Sequence, residues 1–89
     1  MNTITMKHLE GMINRLNRIT NSPEEYMTDG KINIGYYHLD GAYGGYMLVR
    51  TMNEGGGINC PIGQGHVTKR DLYNRLSAFI SGIESTRSV

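Results

Sequence analysis

The stretch Lys31-Ile32-Asn33-Ile34-Gly35-Tyr36-Tyr37-His38-Leu39-Asp40 alternates Ile32, Ile34, Tyr36 and His38 with Lys31, Asn33, Tyr37 and Leu39. A period of two predicts a strand over residues 31–40. Gly41-Ala42-Tyr43-Gly44-Gly45 follows and reads as a turn, since glycine reaches backbone angles that a reversal needs. Beyond it Met47, Val49 and Thr51 alternate with Tyr46, Leu48, Arg50 and Met52, a second strand over 46–53. Glu54-Gly55-Gly56-Gly57 is another turn before a short third strand over 58–62. Pro61 cannot donate to a ladder, which places that strand at an edge.

Helical periodicity flanks this block on both sides. Leu9, Met12, Ile13, Leu16 and Ile19 form one stripe over 5–19, weakened by about 1 kcal/mol at Gly11 relative to alanine. Thr20-Asn21-Ser22-Pro23 ends that helix, because proline disfavours helical geometry in the residue before it. Ser22-Pro23-Glu24-Glu25 also reads as a capping box opening a single further turn before Thr28-Asp29-Gly30. Downstream, Thr68 caps a helix whose third residue is Asp71 and whose stripe is Leu72, Leu76, Phe79, Ile80 and Ile83. Both stripes need an apolar surface, and the short links between strands favour a meander. The expected fold is therefore α+β in the order αβββα: a three-stranded antiparallel meander sheet with two helices packed on one face. Leu72, Leu76, Phe79 and Ile80 are expected to bury against Ile32 or Ile34 and Val49.

Eighty-nine residues make one domain, 1–89, with a thin core: a chain this short buries only about 60–65% of its unfolded surface. Hydrophobic residues are 38% of the chain, with one Phe and no Trp. Cys60 is the only cysteine, so no internal disulfide supplements that core, and self-association is the expected supplement. Nine Lys and Arg against eight Asp and Glu give a net charge of +1, which argues against a general nucleic-acid binder. Met1-Asn2-Thr3-Ile4-Thr5-Met6 has no basic segment followed by an apolar one, and no apolar run approaches a membrane span. The reading is a cytoplasmic protein without a signal peptide or membrane partner.

Ten of the twelve glycines fall between Gly30 and Gly65. Three tight turns are the favoured account and explain Gly30, Gly41 and most of Gly55-Gly56-Gly57, but Gly35 and Gly44-Gly45 less well. Tyr36, Tyr37, Tyr43 and Tyr46 share that block, and tyrosine offers a flat apolar face with a polar end suited to interfaces or base stacking. It also suits half-buried strands, a reading of comparable weight. Gly63-Gln64-Gly65-His66-Val67-Thr68-Lys69-Arg70 leads into the last helix. Amides at a helix N-terminus attract anions, whereas Lys69 and Arg70 oppose the dipole there unless an anion compensates. A simple capped helix with solvated side chains competes with this reading. Neither the spacing of a Walker loop nor a dinucleotide fingerprint is present. The candidate ligand-binding residues are thus Tyr36, Tyr43, Gly44, Gly45, Tyr46, His66, Thr68, Lys69 and Arg70.

His38 and Asp40 lie two apart on a strand and share a face, which invites acid–base chemistry, and Cys60 with a histidine invites nucleophilic chemistry. Neither assembles nucleophile, base and charge stabiliser, so no catalytic residue is assigned and the protein is read as a non-enzyme. Three scattered histidines and one cysteine lack metal-ligand spacing, and no cofactor is expected. Arg15, Arg18, Arg50, Lys69 and Arg70 are the residues a nucleic-acid accessory factor would use, the weakest of the three binding roles considered.

The run from Asn33 through Tyr36, His38 and Asp40 to Gly45, then Asn53-Glu54-Gly55-Gly56-Gly57 and Thr68-Lys69-Arg70-Asp71-Leu72-Tyr73, resembles a group of small phage and prophage proteins. Asn14-Arg15-Leu16-Asn17-Arg18-Ile19-Thr20 resembles the start of that group, so the likeness covers nearly the whole chain. The group has no assigned activity, and no residue's role comes with it. The resemblance implies a viral accessory protein in the bacterial host cytoplasm. Short phage proteins frequently blunt host defences, by binding a host protein or by sequestering a signalling nucleotide. The expected roles are accordingly a binding module on a host protein or a sponge for a small anionic, phosphate-bearing ligand.

Overall fold

Thr5 opens the first helix through a reciprocal cap. Its hydroxyl accepts the His8 amide at 3.3 Å, and its own amide donates to His8 Nδ1 at 3.2 Å. Histidine thus takes the place that Glu or Gln usually holds in a capping box. In the computed structural model, which describes residues 3–87, this helix (α1) spans Met6–Ile19 and buries Leu9, Ile13, Leu16 and Asn17. Thr20 closes it, its hydroxyl donating to the Leu16 carbonyl at 2.7 Å.

The single helical turn expected after Ser22 does not form. Met27–Thr28 (β1) instead pairs antiparallel with Lys31–Ile32 (β2) around Asp29 and Gly30, whose φ values are 51° and 79°. Two positive φ angles are the signature of a type I′ hairpin turn, for which Asp-Gly is a preferred pair. A single helical turn closes too few hydrogen bonds to compete.

Residues 33–36 then turn rather than continue the expected strand. Gly35 has φ 95°, its carbonyl accepts from Arg50 Nε at 3.1 Å, and a Cβ there would lie 3.5 Å from Arg50 Nη2. The interruption moves the alternation by one residue, so the side chains that enter the core change phase. Tyr37–Ala42 (β3), Gly45–Thr51 (β4) and Ile58–Asn59 (β5) form an antiparallel sheet in the order β3-β4-β5. The register runs from Tyr37 opposite Arg50 to Ala42 opposite Gly45, and Thr51 lies opposite Ile58. The third strand is an edge strand, as its proline suggested, but it ends before Pro61.

Lys69–Arg87 form the last helix (α2), with Thr68 Oγ1 accepting the Asp71 amide at 3.1 Å. The fold is thus α+β, with two helices, a two-stranded sheet and a three-stranded sheet among the described residues. One buried cluster joins Leu9, Ile13 and Leu16 of α1 to Leu72, Leu76 and Ile80 of α2 and to Tyr37 and Leu48 of the sheet. Each such leucine contributes about 1.5–3 kcal/mol of transfer free energy. The partners expected for α2 are corrected by this cluster. Ile34 is exposed because the chain turns at Gly35, and Val49 is buried outside the cluster on the face it shares with His38. Tyr37 and Leu48, from the other face, join the cluster.

Asn17 binds α1 to the sheet. Its Nδ2 donates to the Tyr37 carbonyl at 3.0 Å, and its Oδ1 accepts the Tyr37 amide at 3.0 Å. A buried side-chain amide thereby satisfies both backbone groups of an edge-strand residue, the role a neighbouring strand would otherwise play. On the surface, Arg15 meets both carboxylate oxygens of Glu84 at 2.8 and 2.7 Å. Both side chains are well exposed, so the pair is worth at most about 1 kcal/mol.

Candidate functional site

The segment entering α2 returns to the base of the β3–β4 hairpin. Tyr46 and Val67 exchange two backbone hydrogen bonds, at 2.8 and 2.9 Å, on the side of β4 away from β3. That approach requires glycine at position 45, where a Cβ would sit 2.9 Å from the Val67 carbonyl oxygen. Two segments about twenty residues apart in sequence thus become neighbours, and with them most of the candidate ligand residues.

At the tip, Tyr43 and Gly44 have φ 54° and 72°, a second type I′ turn. Tyr43 is 97% exposed and presents its ring edge-on to His66 at 5.8 Å between centroids. His66 Nε2 lies 2.7 Å from Asp40 Oδ2, so the hairpin also meets the α2 approach through a side-chain pair. Asp40 was expected beside His38. The two do share a strand, but the carboxylate turns to His66, and His38 Nδ1 has no hydrogen-bond partner among the described residues.

Gly44, Tyr46, Thr68, Lys69 and Arg70 line one open cleft of about 610 Å³, closed on its other side by Thr3 and Ile4. Lys69 Nζ stands 5.9 Å from the centre of the Tyr46 ring, within reach of a cation–π contact. The two carboxylates of this end are already engaged, Asp40 with His66 and Asp71 with Arg75 at 3.3 Å. Lys69 and Arg70 line the cleft at the start of a 19-residue helix, where the helix dipole is positive.

Eight of the nine candidate residues gather here. Tyr36 does not. It stacks on His38 at 5.2 Å near the opposite end of the strands, with Tyr26 edge-on to the same imidazole at 5.6 Å. Thr3 and Ile4 carried no sequence signal for the cleft, since only the path of α1 brings them to it. The remaining chemical candidates stay apart: Cys60 Sγ contacts Met47 Sδ at 3.7 Å. Among the described residues no three His, Cys, Asp or Glu side chains are placed to share a metal ion. No helix among them is long and apolar enough to cross a membrane.

No protein family matches the chain, and neither curated proteins nor solved structures yield a match.

Proposed function

We propose that the protein is a non-enzymatic binding module whose working surface is the cleft between the hairpin tip and the start of α2. Its ligand is a small molecule carrying a phosphate. The convergence of Gly44, Tyr46, Thr68, Lys69 and Arg70 on one cleft carries this reading. A phosphate there meets the helix dipole and two cationic side chains acting in the same direction. Tyr43, exposed beside His66, is placed to stack on an attached base, a contact worth about 1–3 kcal/mol. In the phage setting of the resemblance, the module sequesters a nucleotide in the bacterial host cytoplasm.

The same reading takes both helices to lie on one face of the three-stranded sheet. Tyr37 lies opposite Arg50 and Leu39 opposite Leu48, so these residues share a face, and Tyr37 and Leu48 are the sheet's contributions to the buried cluster. The cleft then opens at the rim of the helix-bearing face.

Calorimetric titration of cyclic and linear nucleotides into wild-type protein and a Lys69→Ala, Arg70→Ala double variant tests the function. Binding by the wild type and at least a tenfold weaker interaction with the variant is the expected result, matching the loss of two charge-assisted contacts. Equal binding by both, or binding by neither, removes the cleft and leaves a host-protein target as the better account.

A further inference from the structure

At the far end of the β3–β4 ladder from the hairpin tip, five large apolar side chains stand in solvent. Tyr26 and Met27 belong to the β1 segment, and Ile34 to the turn before β3. Met52 follows β4, and Ile58 lies on β5. They are neighbours because backbone bonds knit these segments together. The Asn33 amide donates to the Tyr26 carbonyl, that of Gly35 to Thr51 and that of Met52 to Gly57. Thr51 lies opposite Ile58, and a Cβ on Gly56 would meet the Tyr26 hydroxyl at 3.5 Å and Ile32 Cδ1 at 3.7 Å. Ile34 is 52% exposed and Ile58 49%, more than a thin core with few apolar residues would be expected to leave uncovered. Glu24, Glu25, Asp29 and Glu54 surround this end and form no ion pair among the described residues. The exposed cations nearby are Lys31 and Arg18, while Arg50 is held by the Gly35 carbonyl and the Tyr37 ring.

The tip has the opposite character. It carries Lys69 and Arg70, and its two carboxylates are paired internally. It also holds Tyr43 fully in solvent at a φ that tyrosine adopts only at a cost, where Asn or Gly would make the same turn more cheaply. Folding draws from the ring only its edge-on contact with His66. An interface draws more, since tyrosine is among the residues that most often anchor one.

We propose that these two ends are the two halves of one interface, by which copies of the chain associate head to tail. The tip of one copy, led by Tyr43 and flanked by Lys69 and Arg70, seats on the apolar end around Ile34, Met52 and Ile58 of the next, facing its carboxylates. Charge decides against the symmetric alternatives. Pairing two far ends sets four carboxylates against four, and pairing two tips sets Lys69 and Arg70 against their copies. A contact between unlike surfaces is heterologous, so it closes into a ring or grows as a chain. This inference rests on the reading of the tip as an anion-attracting surface, with the anion supplied by a neighbouring protein molecule.

Complementation tests it. One variant loses the tip (Tyr43→Ser, Lys69→Glu, Arg70→Glu), and the other loses the far end (Ile34→Lys, Glu54→Lys). Light scattering over a wide concentration range should show the wild type growing in mass. Each variant alone should stay near the 10.0 kDa monomer. An equimolar mixture should give a discrete species of twice that mass, because each pair has one working tip and one working far end. Added salt should weaken wild-type association roughly tenfold, as expected for complementary charge. That last measurement needs no variant to fold. A wild type that stays monomeric throughout, or a variant that associates alone as well as the wild type, overturns the proposal. Nucleotide titration into the far-end variant, whose cleft is untouched, separates the outcomes: binding there without wild-type association leaves the ligand reading standing alone.

Discussion

The two ends of the β3–β4 ladder are held together by different means. At the tip a type I′ turn at Tyr43-Gly44 and the two-way backbone bridge between Tyr46 and Val67 are joined by one side-chain pair, Asp40 with His66. At the far end backbone bonds are supplemented by several polar side chains. Asn17 satisfies Tyr37, and Arg50 holds Gly35. Asn53 Oδ1 accepts the amides of Gly55 and Gly57 at 2.9 and 3.0 Å. The difference has a consequence for surface chemistry. Near the tip the surface carries Tyr43, fully in solvent, with Lys69 and Arg70 lining the adjoining cleft. Where polar side chains are spent on structure, the surface that remains is Met27, Ile34, Met52 and Ile58.

The shared core should couple both ends, and Leu76→Ala is the way to break them together. Leu76 is fully buried between the helices and the sheet, so its truncation should lose roughly 2–5 kcal/mol, a large part of what so small a domain has. Chemical denaturation should show one early transition reported alike by the Tyr46 and Tyr37 regions. A near-wild-type midpoint would mean that the α2 stripe does not hold the core.

Asn17→Ala should act on the far end alone. It leaves the buried Tyr37 amide and carbonyl without their partner, at about 1–3 kcal/mol for a buried group stripped of its hydrogen bond. Amide exchange at Tyr37 and Thr51 should accelerate well before exchange at Tyr46 and Val67. Uniform acceleration would show that the ends are not separable. Gly45→Ala makes the complementary break. A methyl group 2.9 Å from the Val67 oxygen must push the α2 approach off β4, at about 1–3 kcal/mol for an overpacked site. Exchange at Val67 should rise first, and nucleotide binding should fall with it. Wild-type exchange at Val67 would contradict the close approach.

How far these ends were legible in the sequence follows the same division. The tip was readable because its determinants are local: Gly44-Gly45 in a turn, Thr68 as a cap, Lys69 and Arg70 in a first helical turn. What could not be read was that the two segments touch, since the Tyr46–Val67 bridge joins residues with β5 between them in sequence. The far end was misread for a physical reason. Ile32, Ile34, Tyr36 and His38 keep a perfect alternation through a place where the backbone does not, and only Gly35 marked the break. Likewise Asp29-Gly30, expected only to end a single helical turn, makes a hairpin turn between β1 and β2. Asn17 lies beside the apolar stripe of the first helix and carries no local signal of its own. Its burial depends on a strand edge arriving beside it, which periodicity does not encode.

The smallest expected effect has the opposite sign from the others. Tyr43 occupies the left-handed region at φ 54°, where a Cβ-bearing residue pays about 1–2 kcal/mol and Asn pays much less. Its ring is 97% exposed, and its recorded ring contact is the edge-on approach to His66, so little packing is lost on removal. Tyr43→Asn should therefore stabilise the fold by about 1 kcal/mol, which for a domain of this size raises the melting temperature by roughly 4–8 °C. The same change should weaken whatever the tip binds, whether a nucleotide in the cleft or the far end of another copy. A stabilised variant with weakened binding would show that the strain at the tip is kept for contact with a partner. A destabilised variant would instead place the ring in a structural role against His66, and the two ends would then differ less in how they are held than the backbone bridge suggests.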